Sequence, residues 1–356
     1  MLKNEINTLL KIEYPIIQAP MAGGITTSAL VAAVSNNGAL GMIGAGYLSP
    51  AQLRDQIREV KQLTSKGFGV NLFVPNNFEV VEDEIEAANN LLHKFRSQLK
   101  IENGNNALPS MEKTLQAYNE QIQVIIDEKV PICSFTFGVP SIEVIAQLKQ
   151  QGTILIGTAT TVVEAMAIEK LRMDAVVVQG SEAGGHRGNF ISRHDESLVG
   201  LMSLIPQVSD QVSIPVIAAG GIMDGRGLIA SLCLGAKAVQ MGTAFLTCEE
   251  SGAHPVHKEA VLHAKDEDTI FTRAFSGKWA RGIQNKFTIE MQAHNAEILM
   301  FPVQNTLTQS IRKASSSQNN KDFMSLWSGQ SPTLAKNETV ETLIQRIIKD
   351  AERRMI

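Results

Sequence analysis

Short apolar runs, many closed by glycine or a turn residue, recur along the chain with room for a helix between most of them. In order they are Pro15 to Met21, Ala39 to Gly44, Gly67 to Phe73, Val130 to Phe137, Thr153 to Thr158, Asp174 to Gly180, Pro215 to Gly220 and Ala238 to Leu246. Runs such as PVIAAGG and DAVVVQG are continuously apolar rather than alternating, the pattern of strands buried on both faces of a parallel sheet. Between them, Thr26 to Asn37, Pro50 to Thr64, Thr161 to Lys170 and Gly225 to Leu234 carry apolar residues at three and four spacing, which predicts amphipathic helices. Strand and helix alternating to eight strands predict an α/β (β/α)8 barrel rather than an open doubly wound sheet.

Two stretches exceed a normal barrel connection. Residues 76–128 hold a charged helical run, EVVEDEIEAANNLLHKFRSQL, then a loop, ENGNNALPS, and read as a decorated βα unit. Residues 250–335 contain both tryptophans and are too long for a simple closure; a mainly helical cap leaning over the barrel mouth is expected. The run Thr339 to Arg353 places Val340, Leu343, Ile344, Ile347 and Ala351 on one face, which should dock back on the barrel. The expected organisation is thus a barrel over 1–249, a cap over 250–335 and a returning helix within 336–356.

Composition narrows the function classes. With 44% hydrophobic residues in a chain of 356, a large core can form without disulfide or metal. The balance of 32 basic against 36 acidic residues, with no Lys/Arg block, argues against a nucleic-acid partner. Cys133, Cys233 and Cys248 lack metal-chelating or redox-pair spacing and read as small buried residues, so no metal site is expected. The N-terminal MLKNEINTLLKIEYP has no apolar signal core and no run approaches a membrane span, which reads as cytoplasmic with no membrane partner. Oligomeric state is left open, a homo-oligomer included.

In a parallel barrel the C-terminal strand ends share one face, so candidate chemistry is read there. Glycine pairs follow the seventh and eighth strands, where barrels often hold a phosphate: Gly220 and Gly221, then Gly242 with Thr243. Without a Cβ, backbone N–H groups can close on an anion; alternatively the glycines only make tight turns. Asn71 and Gln179 end apolar runs, so their amides should be buried near the axis, bonded either to the mixed edge of a flavin ring or to nearby backbone. His186, in Gly184-Gly185-His186-Arg187-Gly188, should present its imidazole in the mouth as a proton acceptor or hydrogen-bond donor. The other histidines, His93, His194, His254, His257, His263 and His294, are expected on solvated surfaces. Glu182 reads as a base or as an acceptor for backbone N–H groups, and Arg187 as an anion-steering or solvent-facing residue. Gly225-Arg226-Gly227-Leu228-Ile229-Ala230 fits a loose dinucleotide pattern but lacks the acidic residue about twenty positions on.

Taken in order, Gln18-Ala19-Pro20-Met21-Ala22-Gly23, Gly69-Val70-Asn71-Leu72-Phe73, Gly184-Gly185-His186-Arg187-Gly188, Ala219-Gly220-Gly221-Ile222 and Gln240-Met241-Gly242-Thr243 resemble the bacterial nitronate monooxygenases. The segments Phe275-Ser276-Gly277-Lys278-Trp279-Ala280-Arg281-Gly282 and Trp327-Ser328-Gly329-Gln330 resemble family signatures too. The resemblance implies an oxidoreductase that binds FMN without a covalent bond and oxidises alkyl nitronates, such as propionate 3-nitronate, with molecular oxygen. It implies His186 as the catalytic residue and Met21, Asn71, Gln179, Gly184, Gly185, Gly220, Gly221, Gln240, Met241, Gly242 and Thr243 as cofactor contacts. Flavin-dependent enoyl-ACP reductases, which use NAD(P)H, share the Gly-Gly-His loop and are the alternative; a non-enzymatic flavin or phosphate binder is the remaining class. The barrel dehydrogenases of inosine monophosphate need a loop cysteine for which the three cysteines offer no counterpart.

Overall fold

The structure, a computed structural model, describes residues 2–101 and 107–355. Its strands are β1 (Ile16–Gln18), β2 (Gly41–Gly44), β3 (Phe68–Phe73), β4 (Ile132–Thr136), β5 (Ile154–Ala159), β6 (Ala175–Gln179), the two-residue β7 (Gly185–His186), β8 (Val216–Ala219), β9 (Ala238–Met241), β10 (Thr269–Thr272) and β11 (Ala280–Ile283). Eight of these form one parallel sheet in the order β1-β9-β8-β6-β5-β4-β3-β2. A parallel bridge between Ile17 and Leu40 brings the two edges together, with Gln18 N–H and Leu40 N–H each donating across the seam at 2.9 Å. The (β/α)8 barrel is therefore present, nearly closed.

Side-chain parity explains the continuous apolar runs. Ile17, Met42, Ile132, Ile156, Val177 and Ile217 point inward and form one buried cluster, while Ile43, Val70, Cys133, Leu155, Val176 and Val178 pack outward under the helices. Both faces of each strand are dry, so neither face needs polar residues.

The helices are α1 (Glu5–Leu10), α2 (Ser28–Asn36), α3 (Pro50–Leu63), α4 (Glu82–Gln98), α5 (Met111–Asp127), α6 (Ile142–Gln150), α7 (Val162–Lys170), α8 (Leu201–Ser209), α9 (Gly225–Cys233), α10 (Thr243–Leu246), α11 (Pro255–His263), α12 (Lys286–Gln292), α13 (Val303–Leu307), α14 (Gln309–Ser317) and α15 (Val340–Glu352). Thr27, Ser49, Ser110, Ser141, Thr161, Asp224 and Thr339 each cap a barrel helix through a side-chain oxygen, satisfying donors that the first turn leaves free. Helix α8 begins after Gly200 with no cap of its own, and Glu182 supplies one by accepting Leu201 N–H at 2.8 Å. Helix α15 packs between α9 and α2 as the eighth barrel helix. Gly225 permits this contact, because a Cβ there would sit 2.4 Å from Ala351 N. That glycine therefore serves helix packing and makes no dinucleotide turn.

Three sequence expectations change. The eighth apolar run is not one strand to Leu246: after Met241 the chain turns at Gly242, whose carbonyl accepts Phe245 and Leu246 N–H at 2.9 Å, so its second half is a helical turn. The cap also contains β10 and β11, which pair with β7 as a three-stranded antiparallel sheet. Helix α1, absent from the periodicity reading, inserts Ile6 and Leu10 into the barrel-interior cluster.

The segment over 76–128 divides in two. Helix α5 packs on α3 and β3 as a barrel helix, whereas α4 sends Leu92 and Phe95 into a second core with Phe275, Phe287, Met291, Ile311 and Phe323 of the cap. Of the expected loop ENGNNALPS, residues 102–106 lie outside the described residues.

Candidate active site

The inward parity that gives isoleucines low in the barrel gives polar residues at its C-terminal rim. Asn71, Ser134, Thr136, Thr158, Gln179 and Gln240 line a cavity there of about 1260 Å³, its open mouth included. Gly184, Gly185, His186, Gly220, Gly221, Gly242, Thr243 and Met21 line the same cavity. All three glycine loops thus meet at one end of the barrel. Met241 is the exception among the expected cofactor contacts: one residue out of parity, its side chain packs in the outer core.

Gly220 and Gly221 adopt φ of +132° and +65°, conformations that glycine reaches without a Cβ penalty. A Cβ on Gly220 would lie 3.1 Å from Ala183 N. The main-chain N–H groups of Gly221 and Gly242 meet no acceptor among the described residues. Donors in this state beside a cavity fit an anionic ligand group.

The two expected amides have different duties. Asn71 donates from Nδ2 to Ser134 Oγ at 2.9 Å and to Thr136 Oγ1 at 3.1 Å, which leaves its carbonyl oxygen free toward the cavity. Gln179 has neither end free, since Nε2 donates to His186 O at 2.9 Å and Oε1 accepts Gly188 N–H at 2.8 Å. The side chain of Gln240, on the same inward row, makes no hydrogen bond among the described residues.

His186 is held from the cap. As β7 it pairs with Ala280 of β11, and the next residue, Arg187, donates its N–H to Trp279 O at 2.8 Å. Its Nε2 lies 2.8 Å from Ser276 Oγ, which itself donates to Lys278 O at 3.1 Å. With its one proton directed there, the hydroxyl accepts from Nε2–H, and Nδ1 carries the free lone pair. The ring is half-buried rather than exposed, flanked by Trp327 at 5.3 Å and Phe137 at 6.0 Å. Burial, and then the charges of Lys278 and Arg312, pulls the imidazole down to about 3, so it is neutral at pH 7.

Arg187 overturns both of its expected roles. It is fully buried, and its guanidinium donates to Gly180 O at 2.6 Å, Gln179 O at 2.9 Å and Ser197 O at 2.7 Å. It braces the loop that carries His186. Glu164, fully buried on α7, accepts Phe190, Ile191 and Ser192 N–H through Oε1 and both Thr160 donors through Oε2, and so braces the following turn. Two other histidines are not solvated: His257 is buried with Nε2 2.9 Å from Trp327 O, and His194 stacks on Trp279 at 4.3 Å. Cys133 and Cys248 are buried, but Cys233, late on the outer helix α9, is exposed.

Sequence reasoning missed the aromatic wall of Tyr47, Phe73, Phe137 and Trp327. Phe137 follows β4 with φ +73°, a strained value for a bulky residue, and packs tilted on Phe73 at 4.6 Å. Phe73 had a positional signal, being two positions past Asn71 on the inward row, and Trp327 lay in a segment that resembles a family signature, whereas Tyr47 and Phe137 had neither. The tail at Trp327 closes over the glycine loops, with Gly329 N–H donating to Thr243 Oγ1 at 2.9 Å.

Comparison with known proteins agrees with this geometry. A probable nitronate monooxygenase of Staphylococcus haemolyticus is 51% identical over 351 residues, covering 98% of this chain and 97% of the relative. A nitroalkane oxidase from Streptomyces ansochromogenes superposes with a TM-score of 0.89 at 36% identity over 98% of both chains. FabK from Thermotoga maritima superposes at 0.79 with 32% identity, over 100% of this chain and 98% of that one. The family model described as nitronate monooxygenase matches residues 3–350, and the chain belongs to that family of oxidoreductases.

Proposed function

We infer that the protein oxidises alkyl nitronates of the propionate 3-nitronate type with molecular oxygen, using non-covalently bound FMN. The carrying observation is that unpartnered N–H donors of two glycine turns and a neutral imidazole from a third loop face one cavity. The donors of Gly221 and Gly242 would hold the phosphate, with Thr243 beside them, and the chain at Gly184 and Gly185 would pass close to the ring system. Asn71 Oδ1 and the amide of Gln240 suit the donor and acceptor edge of a flavin. Met21 adds apolar surface, while Gln179 acts through the His186 loop. When bound, FMN supplies the electron acceptor through which the substrate's electrons reach oxygen.

His186 is better suited to a preformed nitronate than to a neutral nitroalkane. An imidazole held near 3 is a poor base at neutral pH. An anion beside the ring favours its protonated form and moves its pKa upward. The side chain therefore orients the anion, and its proton affinity rises only with an anion in place. Among the described residues no helix is long and apolar enough to cross a membrane, in keeping with an enzyme that acts on small molecules in the cytoplasm.

Purified protein should be yellow with an FMN spectrum. Anaerobic propionate 3-nitronate should bleach it, and NADH or NADPH alone should not. A colourless protein that refuses added FMN, or rapid bleaching by nicotinamide with none by nitronate, would sink the reading.

A further inference from the structure

The segment over 327–331 crosses the barrel mouth and is held there mainly by its main chain. Trp327 forms an antiparallel bridge with Gly282, and its carbonyl oxygen lies 2.9 Å from His257 Nε2. Gly329 N–H donates to Thr243 Oγ1 at 2.9 Å, after β9, and Gln330 N–H donates to Glu182 O at 3.0 Å, after β6. The approach to Gly184 is tighter, since a Cβ on that glycine would lie 2.5 Å from Gly329 N.

Ser331 reaches the remaining glycine loop. Its Oγ lies 3.7 Å from the place a Cβ on Gly221 would take, and the residue lines the cavity. Serine at this position is expected to cap, because Ser331 immediately precedes the short helical turn Pro332–Leu334. The Ser331 carbonyl does accept Leu334 N–H at 3.2 Å, yet the hydroxyl makes no capping bond and has no other partner among the described residues. An O–H donor is thereby left beside the cavity, next to the residue whose main-chain N–H is also free. Ser331 stands one position past the Trp327-Ser328-Gly329-Gln330 signature and is not among the cofactor contacts that the sequence implies.

Charge makes such a donor count. Among the described residues no lysine or arginine lines this cavity. An anion held there must be satisfied by uncharged N–H and O–H groups, and a hydrogen bond to a charged acceptor is stronger than one between neutral groups.

Resting on the FMN reading, we propose that Ser331 is a phosphate-binding residue: its hydroxyl donates to the phosphate held by the Gly221 and Gly242 N–H groups. The cofactor then fastens the C-terminal segment that covers it, and with it the Trp327 ring that flanks His186 at 5.3 Å.

The test separates phosphate from ring. The full chain, stripped of flavin, is titrated with FMN and with riboflavin, which carries the same ring system without phosphate, and each Kd is read from flavin fluorescence. In Ser331→Ala the Kd for FMN should weaken about tenfold, as loss of one charge-assisted bond predicts, while that for riboflavin stays at the wild-type value. Ser331→Thr, which keeps the hydroxyl, should retain the preference for FMN. An unchanged FMN Kd in Ser331→Ala, an equal weakening for both flavins, which marks a merely structural role, or a preference lost equally in Ser331→Thr would overturn the assignment. If the wild type takes up neither flavin, the FMN reading fails; inorganic phosphate, followed by phosphorus NMR, then decides for Ser331. Phosphate binding that weakens in Ser331→Ala upholds the assignment without the flavin, and binding indifferent to the substitution overturns it.

Discussion

Gln179 donates through Nε2 to the main-chain carbonyl of His186 at 2.9 Å, and its Oε1 accepts the Gly188 N–H at 2.8 Å. A barrel strand end thereby grips the loop bearing the imidazole on both sides of it. An amide can do both jobs at once, because one end donates and the other accepts.

Replacing it tests that grip. Gln179→Leu leaves a carbonyl and an N–H unpaired, which costs about 1–3 kcal/mol each when buried. The variant should still bind flavin but lose turnover at least tenfold, with a lower Tm by calorimetry. Full turnover with a normal Tm would show that the loop needs no such support.

Gly220 carries φ +132° and a Cβ there would crowd Ala183 N at 3.1 Å. Gly220→Ala therefore distorts the turn, at a cost of about 1–3 kcal/mol, and displaces N–H donors from the expected phosphate. The purified variant should have flavin occupancy well below wild type in its visible spectrum, even after reconstitution. Equal occupancy would mean these donors hold nothing.

Gly225 offers a contrast at the far side of the same strand-helix unit. A Cβ would meet Ala351 N at 2.4 Å, forcing α15 off α9, and overpacking of this kind costs about 1–3 kcal/mol. Gly225→Ala should lower Tm by several degrees while flavin binding per folded molecule is retained. Lost flavin with an unchanged Tm would contradict a packing role.

Acid sensitivity follows from the histidines. Burial, then Lys278 and Arg312, lowers His186 from 6.5 to about 3; burial lowers His194 and His257 to about 4. Below the unfolded value the denatured chain binds more protons than the folded one, so stability rises with pH across this interval. Denaturation midpoints should be flat above about pH 7 and fall steadily from pH 6.5 toward 4. His257→Gln should reduce that slope, since it removes one of the three groups, and an identical slope would exclude His257 as a contributor.

Much of this was open to reading from the chain alone, for local reasons. Apolar runs of strand length with no polar alternation imply a sheet covered on both faces, and a Ser, Thr or Asp before seven helices marks where they start. The glycine pairs and His186 were legible because strand ends in a barrel share one face. The aromatic wall, the neutral state of His186 and the fate of Arg187 were not, since Phe137, Ser276, Lys278 and Arg187 lie far apart in sequence and meet only after folding. Periodicity settled the barrel and pointed to the end of it where the glycine loops and polar side chains gather around a cavity. What each polar group can do there was decided by tertiary packing, because hydrogen-bond supply and loss of water depend on neighbours that no local spacing encodes.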